Sequence, residues 1–179
     1  MNDFIEEVLL SNEEIVRIAK ELGKQISKDY EGKKPLLVGL LKGSVPFMAE
    51  LMKHIDIEME IDFMKASSYV GTQSSGTVVI SKDTAVSVEG RHVVIIEDIV
   101  DSGLTITEVR KLLLARGALS VTVATLLDKP EGRTVKNLVP EYVGAEIPAK
   151  FVVGFGLDYD ELYRNLPYVG VLKRSVYEK

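Results

Sequence analysis

Three carboxylates stand within five residues near the middle of the chain, directly after a short aliphatic run. Glu97 and Asp98 follow residues 93–96, Asp101 comes two aliphatic residues later, and residues 102–105 then read SGLT. Such a turn, at the start of a helix, can present backbone N–H groups and hydroxyls to a phosphate without any basic side chain. The carboxylates would repel a phosphate unless they bind sugar hydroxyls or Mg²⁺. The segment therefore indicates a site for a phosphorylated sugar together with a metal ion.

Simpler interpretations stay open for these residues. Asp98 or Asp101 can merely cap the following helix while the other acids face water. Rival phosphate motifs are absent, because the sequence has no P-loop pattern, and residues 154–156 (GFG) lack the third glycine of a dinucleotide fingerprint. It has no Gly-x-Ser-x-Gly elbow either. His54 and His92 are read as a helix-end and a strand-start residue rather than as ligands.

The composition restricts the class of protein. The chain has 179 residues, 27 acidic and 22 basic side chains, a net charge of −5, no cysteine and 46% hydrophobic residues. This length suits a single domain over residues 1–179, with a core that needs no disulfides. The absence of cysteine excludes thiolate nucleophiles and cysteine–zinc sites. A negative charge argues against nucleic acid as a partner. An acidic N-terminus and the lack of a long apolar run predict a cytoplasmic protein without a membrane segment.

Periodicity predicts alternating strands and helices. A capping box from Ser11 to Glu14 starts a helix that runs to about Lys28. The next predicted elements are a buried strand at 36–41, a helix at 44–55, a half-exposed strand at 57–64, an irregular loop at 66–76, a strand at 91–96, a helix at 106–116 and strands at 121–127, 151–154 and 168–172. This order predicts a parallel sheet with helices on both faces, whose ligands bind at the carboxyl ends of the strands. The 66–76 loop is interpreted as a lid or as a mobile tip.

Residues 93–105 (VVIIEDIVDSGLT) resemble the phosphoribosyl pyrophosphate (PRPP) signature of type I phosphoribosyltransferases. Further segments appear in the order and spacing of the hypoxanthine-guanine phosphoribosyltransferase family: LKGS at 41–44, SY at 68–69, LDKP at 127–130 and FVVGFGLDY at 151–159. The similarity runs from about Leu36 to Leu172. It implies an α/β fold of type I phosphoribosyltransferases, a central parallel sheet flanked by helices, with a small hood formed by the N-terminal and C-terminal segments.

The resemblance also implies a reaction. The family moves ribose 5-phosphate from PRPP to N9 of hypoxanthine or guanine, forms IMP or GMP, and expels pyrophosphate through an oxocarbenium-like transition state. Asp101 would be the general base at purine N7. The expected PRPP ligands are Glu97 and Asp98 at the ribose hydroxyls, and Asp101, Ser102, Gly103, Leu104 and Thr105 around the 5-phosphate. Many relatives have Thr-Gly-Lys-Thr there, whereas this chain has Ser102-Gly103-Leu104-Thr105, which favours phosphate capture by backbone and hydroxyl groups.

The remaining site residues come from the same resemblance. Pyrophosphate would be bound by Lys42, Gly43, Arg164, Ser68 and Tyr69, with a non-proline cis peptide bond before Lys42 and a lesser contact from Arg133. The purine would be bound by Lys129 at the 6-oxo group, Phe151 by stacking, Val152 through its backbone and Asp158 near the exocyclic edge. Magnesium would be held by Glu97, Asp98 and Asp158. The family forms homodimers or homotetramers, with Lys42 and Phe47 near an interface.

Two other functions fit parts of the same pattern. A xanthine-preferring purine phosphoribosyltransferase would share almost every motif, because few residues decide the choice of base. A non-catalytic PRPP-binding regulator of the same fold would lack Asp101, Lys129 or the lid segment, all of which are present here. The small-molecule substrates PRPP and a 6-oxopurine are therefore the expected partners.

Overall fold

The computed structural model describes residues 3–68 and 78–178, and the architecture below refers to them. The strands are β1 (Ile5–Leu10), β2 (Leu36–Leu40), β3 (Glu60–Ser68), β4 (Val78–Lys82), β5 (His92–Val100), β6 (Ser120–Asp128), β7 (Tyr142–Glu146), β8 (Val152–Val153) and β9 (Val169–Leu172). The helices are α1 (Asn12–Asp29), α2 (Ser44–Met52), α3 (Leu104–Ala115) and α4 (Arg174–Tyr177), and Pro130–Gly132 form a single 3₁₀ turn.

Six strands form the larger sheet in the order β4-β3-β2-β5-β6-β7. All neighbours are parallel except β4, which runs antiparallel to β3 at one edge. The central strands are aliphatic on both faces, and Leu36–Leu40 are buried throughout. Burial on both faces is what a parallel sheet between helices requires.

Helices cover both faces of this sheet. On one face α1 and α2 pack against Leu37, Val94 and Ile96, and on the other α3 packs against Val38 and Ile95. The order strand, loop, helix therefore brings the carboxyl ends of β2, β5 and β6 to one edge. Across the described part of the chain, no helix is both long and apolar enough to cross a membrane.

A second sheet joins the two ends of the chain. Its order is β1-β9-β8, all antiparallel, with Ile5 paired to Leu172 and Val153 to Gly170. Ile5, Val153, Leu166 and Leu172 form its small core. The late short strands predicted from sequence therefore belong to a sheet of their own rather than to the main one.

Several predicted boundaries were wrong in detail. The half-exposed strand occupies Glu60–Ser68 rather than 57–64, because its pairing with β2 begins at Glu60, and it includes the first residues of the predicted 66–76 loop. The rest of that loop, through residue 76, lies outside the described residues. Strands β1, β4 and β7 were not predicted. Phe47 is fully buried in the core, so its side chain does not face a subunit interface.

Candidate active site

Three neighbouring strands deliver the polar segments to one edge of the sheet. Lys42 and Gly43 follow β2, the acidic segment ends β5, and Lys129 follows β6. Because β5 lies between β2 and β6, the acidic segment has a cation-bearing loop on each side. The peptide bond between Leu41 and Lys42 is cis, as the resemblance implied.

Glu97 and Asp98 are adjacent carboxylates near the carboxyl end of β5. Across residues 3–68 and 78–178, neither carboxylate forms an ion pair with a lysine or arginine. Enclosure by the protein, followed by the charge of Asp98, raises the pKa of the Glu97 carboxyl well above its ordinary range. Enclosure also raises the pKa of Asp98, although Arg164 and the Ile99 amide oppose the shift. Enclosed neighbouring carboxylates of this kind suit a bound cation, which favours their ionised forms.

Residues 101–103 and Thr105 line a surface pocket together with Glu97 and Ile106. Gly103 has a left-handed backbone (φ 82°), which lets the chain turn into α3 directly after the loop. The opposite side is buttressed by the segment after β6, where the amides of Thr134 and Val135 donate to the Ser102 carbonyl at 3.1 and 3.2 Å. The start of α3 contains no acidic residue to neutralise its unpaired amides. This loop can therefore hold an anion with its backbone.

Asp101 and Lys129 are in direct contact across the β5–β6 edge. Lys129 Nζ lies 2.6 Å from Asp101 Oδ2, and the Lys129 and Asp101 side chains are 18% and 47% exposed. Gly132 lies beside them so closely that a Cβ there would come within 1.7 Å of Asp101 Oδ1. The pair is therefore accessible to an incoming ligand, while Gly132 restricts the position of the Asp101 carboxylate on one side.

Lys42 and Arg164 are linked through carboxylates of one loop. Lys42 Nζ donates to Glu161 Oε2 at 2.6 Å, and Arg164 Nη2 lies 3.2 Å from Glu161 Oε1 and 3.0 Å from Asp158 Oδ1. The hydrogen bond from Lys42 lowers the pKa of the Glu161 carboxyl below its ordinary value. Arg164 is anchored independently, because its Nη1 donates to the Gly156 carbonyl at 2.7 Å.

Glycines let the β2 loop pack tightly against the rest of the site. A Cβ on Gly43 would lie 1.7 Å from Asp98 Oδ2, and a Cβ on Gly156, whose φ is +101°, would lie 1.9 Å from the Gly43 carbonyl oxygen. Any side chain at either position would separate these groups. The loop that carries Arg164 is therefore in main-chain contact with the loop that carries Lys42.

Phe151 lies among aromatic rings. Its ring stacks on Tyr177 of α4 at 4.9 Å with an interplanar angle of 24°, and meets Tyr159 edge-on at 5.7 Å. It remains 39% exposed. Val152, the next residue, is buried in β8.

Arg133 is engaged in a buried ion pair with Asp128, in which the side chains are 9% and 12% exposed. Its aliphatic part also lies beside Gly103 of the 101–105 loop, since a Cβ added to that glycine would come within 3.3 Å of Arg133 Cδ. In this arrangement Arg133 packs beside the 101–105 loop, and its contact with pyrophosphate stays a prediction.

The structure thus brings most of the predicted residues to one edge in two groups. Around the β5–β6 edge lie Glu97, Asp98, Asp101, Ser102, Gly103, Leu104, Thr105 and Lys129; around the β2 loop lie Lys42, Gly43, Asp158 and Arg164. Ser68 ends β3, whereas the Ser68 side chain and Tyr69 lie outside the described residues. Sequence reasoning missed Gly132, Gly156, Glu161 and Tyr177. The GFG run at 154–156 was a signal of close main-chain packing that could have identified Gly156, but nothing local identified Glu161.

The donor set suits Mg²⁺. Within the described residues no three metal-ligating side chains converge into a ready-made cage. The two carboxylates Glu97 and Asp98 nevertheless lie together. Mg²⁺ typically binds through one or two carboxylates and completes its coordination with substrate oxygens and water. The pair fits that mode.

The sheet order, the flanking helices and the acidic loop after β5 are those of the type I phosphoribosyltransferase fold, a class of sugar-phosphate transferases. The chain belongs to the phosphoribosyl transferase domain family, whose pattern matches residues 7–160.

Known proteins resemble the chain over nearly its whole length. A hypoxanthine-guanine phosphoribosyltransferase of Streptococcus mutans is 60% identical over 176 residues, which cover 98% of this chain and 97% of the relative. The crystal structure of a hypoxanthine phosphoribosyltransferase from Staphylococcus aureus superposes with a TM-score of 0.95 at 51% identity, covering 99% of this chain and 96% of that one. A Trypanosoma cruzi hypoxanthine phosphoribosyltransferase variant, solved with its product IMP, gives a TM-score of 0.93 at 40% identity, covering 99% and 96%.

Proposed function

We propose that the chain is a purine-salvage enzyme that forms IMP or GMP and pyrophosphate from PRPP and hypoxanthine or guanine. The observation that carries the proposal is the Asp101–Lys129 pair, which sits beside an anion-binding loop and two unpaired carboxylates. A 6-oxopurine requires a base that accepts its ring proton and a cation that donates a hydrogen bond to its oxo group. The high identity to hypoxanthine-guanine phosphoribosyltransferases supports the same reaction.

The PRPP end is held by two groups of residues. Backbone amides and hydroxyls of the 101–105 loop bind the 5-phosphate, and the carboxylates of Glu97 and Asp98 accept hydrogen bonds from the ribose hydroxyls. Lys42, the Gly43 backbone and Arg164 bind the pyrophosphate, so positive charge meets the leaving group as negative charge develops there. Ser68 and Tyr69 are proposed to reach it from the lid segment.

The purine base is recognised mainly by side chains. Lys129 donates to the 6-oxo group and rejects adenine, whose 6-amino group is itself a donor. Phe151 stacks on the ring, the Val152 backbone meets the base edge, and Asp158 lies near the exocyclic group. Asp101 accepts the N7 proton as N9 bonds to the anomeric carbon, while the bond from that carbon to the pyrophosphate oxygen breaks and pyrophosphate leaves with the electron pair.

Mg²⁺ is the proposed cofactor. Glu97 and Asp98 would hold it, and it would neutralise charge on the ribose-bound pyrophosphate. Asp158 is the third proposed ligand, but both its oxygens are engaged here, one by Arg164 and the other by the Glu161 amide at 2.9 Å. Each carboxylate oxygen has a second lone pair, so Asp158 could contribute to Mg²⁺ while it keeps its contact with Arg164.

The overall organisation is proposed to follow the family. The sheet formed by β1, β9 and β8 would be the hood of a single domain over residues 1–179, and the protein would act as a homodimer or homotetramer in the cytoplasm. Size-exclusion chromatography with light scattering tests the assembly.

A base panel tests the function. Purified protein with PRPP, Mg²⁺ and one base at a time should convert hypoxanthine and guanine to IMP and GMP with release of pyrophosphate, and should leave adenine unchanged. Asp101→Asn should lower kcat by roughly 10²-fold or more while PRPP binding is retained. No nucleotide product from any oxopurine would refute the proposal, and product from xanthine alone would shift it to a xanthine-preferring enzyme.

A further inference from the structure

Glu161 bridges the two cations that the proposed function gives to pyrophosphate. One of its carboxylate oxygens accepts from Lys42 at 2.6 Å, and the other lies 3.2 Å from Arg164. Lys42 and Glu161 are 119 residues apart in the chain, so this contact depends on the folded arrangement of the two loops. Neither the composition nor the motifs give Glu161 a role.

The loop that carries Glu161 has an unusual backbone. Asp160 and Glu161 have positive φ values of 52° and 65°, which side-chain-bearing residues seldom adopt. The Glu161 amide donates to Asp158 Oδ2 at 2.9 Å, which ties the turn to the carboxylate that also pairs with Arg164. Two carboxylates from one turn thus neutralise the two cations.

We propose that the Glu161 carboxylate is an internal competitor for pyrophosphate: it occupies Lys42 and Arg164 until PRPP or pyrophosphate displaces it. The inference rests on the proposed function, which places the pyrophosphate on these two cations. No covalent change is needed, because the Glu161 side chain is 62% exposed and can turn into water. Arg164 keeps its place meanwhile through its bond to the Gly156 carbonyl.

The competition should weaken pyrophosphate binding, and only by a modest factor. A polyanion that reaches the site must break the Glu161 contacts and then lie near a displaced negative charge. Removing that charge should strengthen pyrophosphate binding. Exposed ion pairs are individually weak, so the expected gain is roughly two- to tenfold in affinity. Added salt should reduce the gain, because it screens exposed charges.

The test is calorimetric titration of the full chain with inorganic pyrophosphate at a fixed Mg²⁺ concentration. Glu161→Gln should bind it roughly two- to tenfold more tightly than the unaltered chain. Glu60→Gln is the matched control, since Glu60 also bridges a lysine and an arginine, Lys34 at 3.1 Å and Arg91 at 3.3 Å, but at the opposite end of the parallel strands. It should leave the affinity unchanged. Unchanged or weaker binding by Glu161→Gln, or equal tightening by both variants, would overturn the inference.

Lys42→Met separates failure of the inference from failure of the site assignment. It should weaken pyrophosphate binding and also abolish most of the gain from Glu161→Gln in the double variant. If Lys42→Met binds pyrophosphate as well as the unaltered chain, the placement of pyrophosphate on Lys42 is wrong, and the competition falls with it. If Lys42→Met weakens binding but Glu161→Gln changes nothing, the site stands and only the competition is refuted.

Discussion

Lys129 Nζ lies 2.6 Å from Asp101 Oδ2, so the residue proposed to read the purine 6-oxo group also contacts the residue proposed to take the N7 proton. The two side chains come from the ends of adjacent parallel strands, and the exposed fraction of Asp101 is 47%. A bound oxopurine would separate this ion pair, because its oxo group would accept a hydrogen bond from Lys129 and its N7–H would donate one to Asp101. The two contacts of the base are thereby coupled to one another.

Gly132 limits where Asp101 can lie, and Gly132→Ala tests that limit. The added Cβ would meet Asp101 Oδ1 at 1.7 Å, and Gly132 does not have a positive φ, so the strain falls on the mobile carboxylate rather than on the backbone. We expect kcat to fall by roughly tenfold or more while the melting temperature changes little. Steady-state kinetics and calorimetry measure the two quantities.

The double variant shows whether the effect passes through Asp101. Because the two changes would act on one group, Gly132→Ala should slow Asp101→Asn no further. An additive loss of activity would mean that Gly132 acts elsewhere.

The buried pair of Arg133 and Asp128 should contribute to stability rather than to substrate binding. Arg133→Met leaves the Asp128 carboxylate enclosed without its partner, which costs about 3 kcal/mol. For a chain of this size that corresponds to a fall of roughly 6–12 °C in Tm. Arg133→Met with Asp128→Asn should recover part of the loss, since no buried charge remains at this pair. A Tm shift below about 2 °C for the single variant would contradict the buried-pair argument.

Tyr177 should fix the orientation of Phe151. The stacked pair, 4.9 Å apart, is of a kind worth about 0.5–1.5 kcal/mol, so Tyr177→Ala should raise the KM for hypoxanthine roughly two- to tenfold and leave the KM for PRPP unchanged. Tyr177→Phe keeps the ring and should behave like the unaltered chain. Equal effects of both substitutions would point to the hydroxyl instead of the stack.

Glu14 makes a pH-dependent contribution to the free energy of unfolding, and a single substitution can isolate it. The Ser11 backbone amide, and then its side chain, lower the pKa of Glu14 below its ordinary value. A carboxyl whose pKa is lower in the folded state adds stability above its unfolded pKa of about 4.3. That stability is lost as pH falls through the folded value.

Glu14→Gln keeps a capping side chain but removes the titration. Urea unfolding between about pH 3 and pH 7 should show the unaltered chain more stable only at the upper end. A difference that does not vary with pH would show that the charge is not responsible.

Local patterns were sufficient for the buried strands and for α1. The aliphatic runs that became β2, β5 and β6 are buried on both faces, and the Ser11–Glu14 capping box is present with both of its hydrogen bonds. The acidic segment was correctly placed near the carboxyl end of a strand, because the order strand, loop, helix is itself a topological signal. The predicted end of that strand at residue 96 was wrong, since β5 pairs with β6 through Glu97 and on to Val100.

Non-local pairing explains what was missed. β1 has three exposed residues in a row and carries Glu6 and Glu7, so it shows no buried-strand pattern and owes its existence to pairing with β9 at the far end of the chain. Glu161 was missed for a related reason. Its partners are set by a turn with positive φ at residues of ordinary type, which no spacing rule reveals.

The contact between Gly156 and the Gly43 carbonyl has a consequence for how substrate choice can change. The part of the site proposed to hold PRPP depends on close main-chain packing at this contact, at the Gly103 turn and at the hydrogen bonds to the Ser102 carbonyl. The part proposed to hold the purine depends on the side chains of Lys129 and Phe151. Replacing side chains should therefore redirect the enzyme toward another base while the PRPP cradle stays intact, whereas a single methyl group at Gly43 or Gly156 would disable it for every base alike.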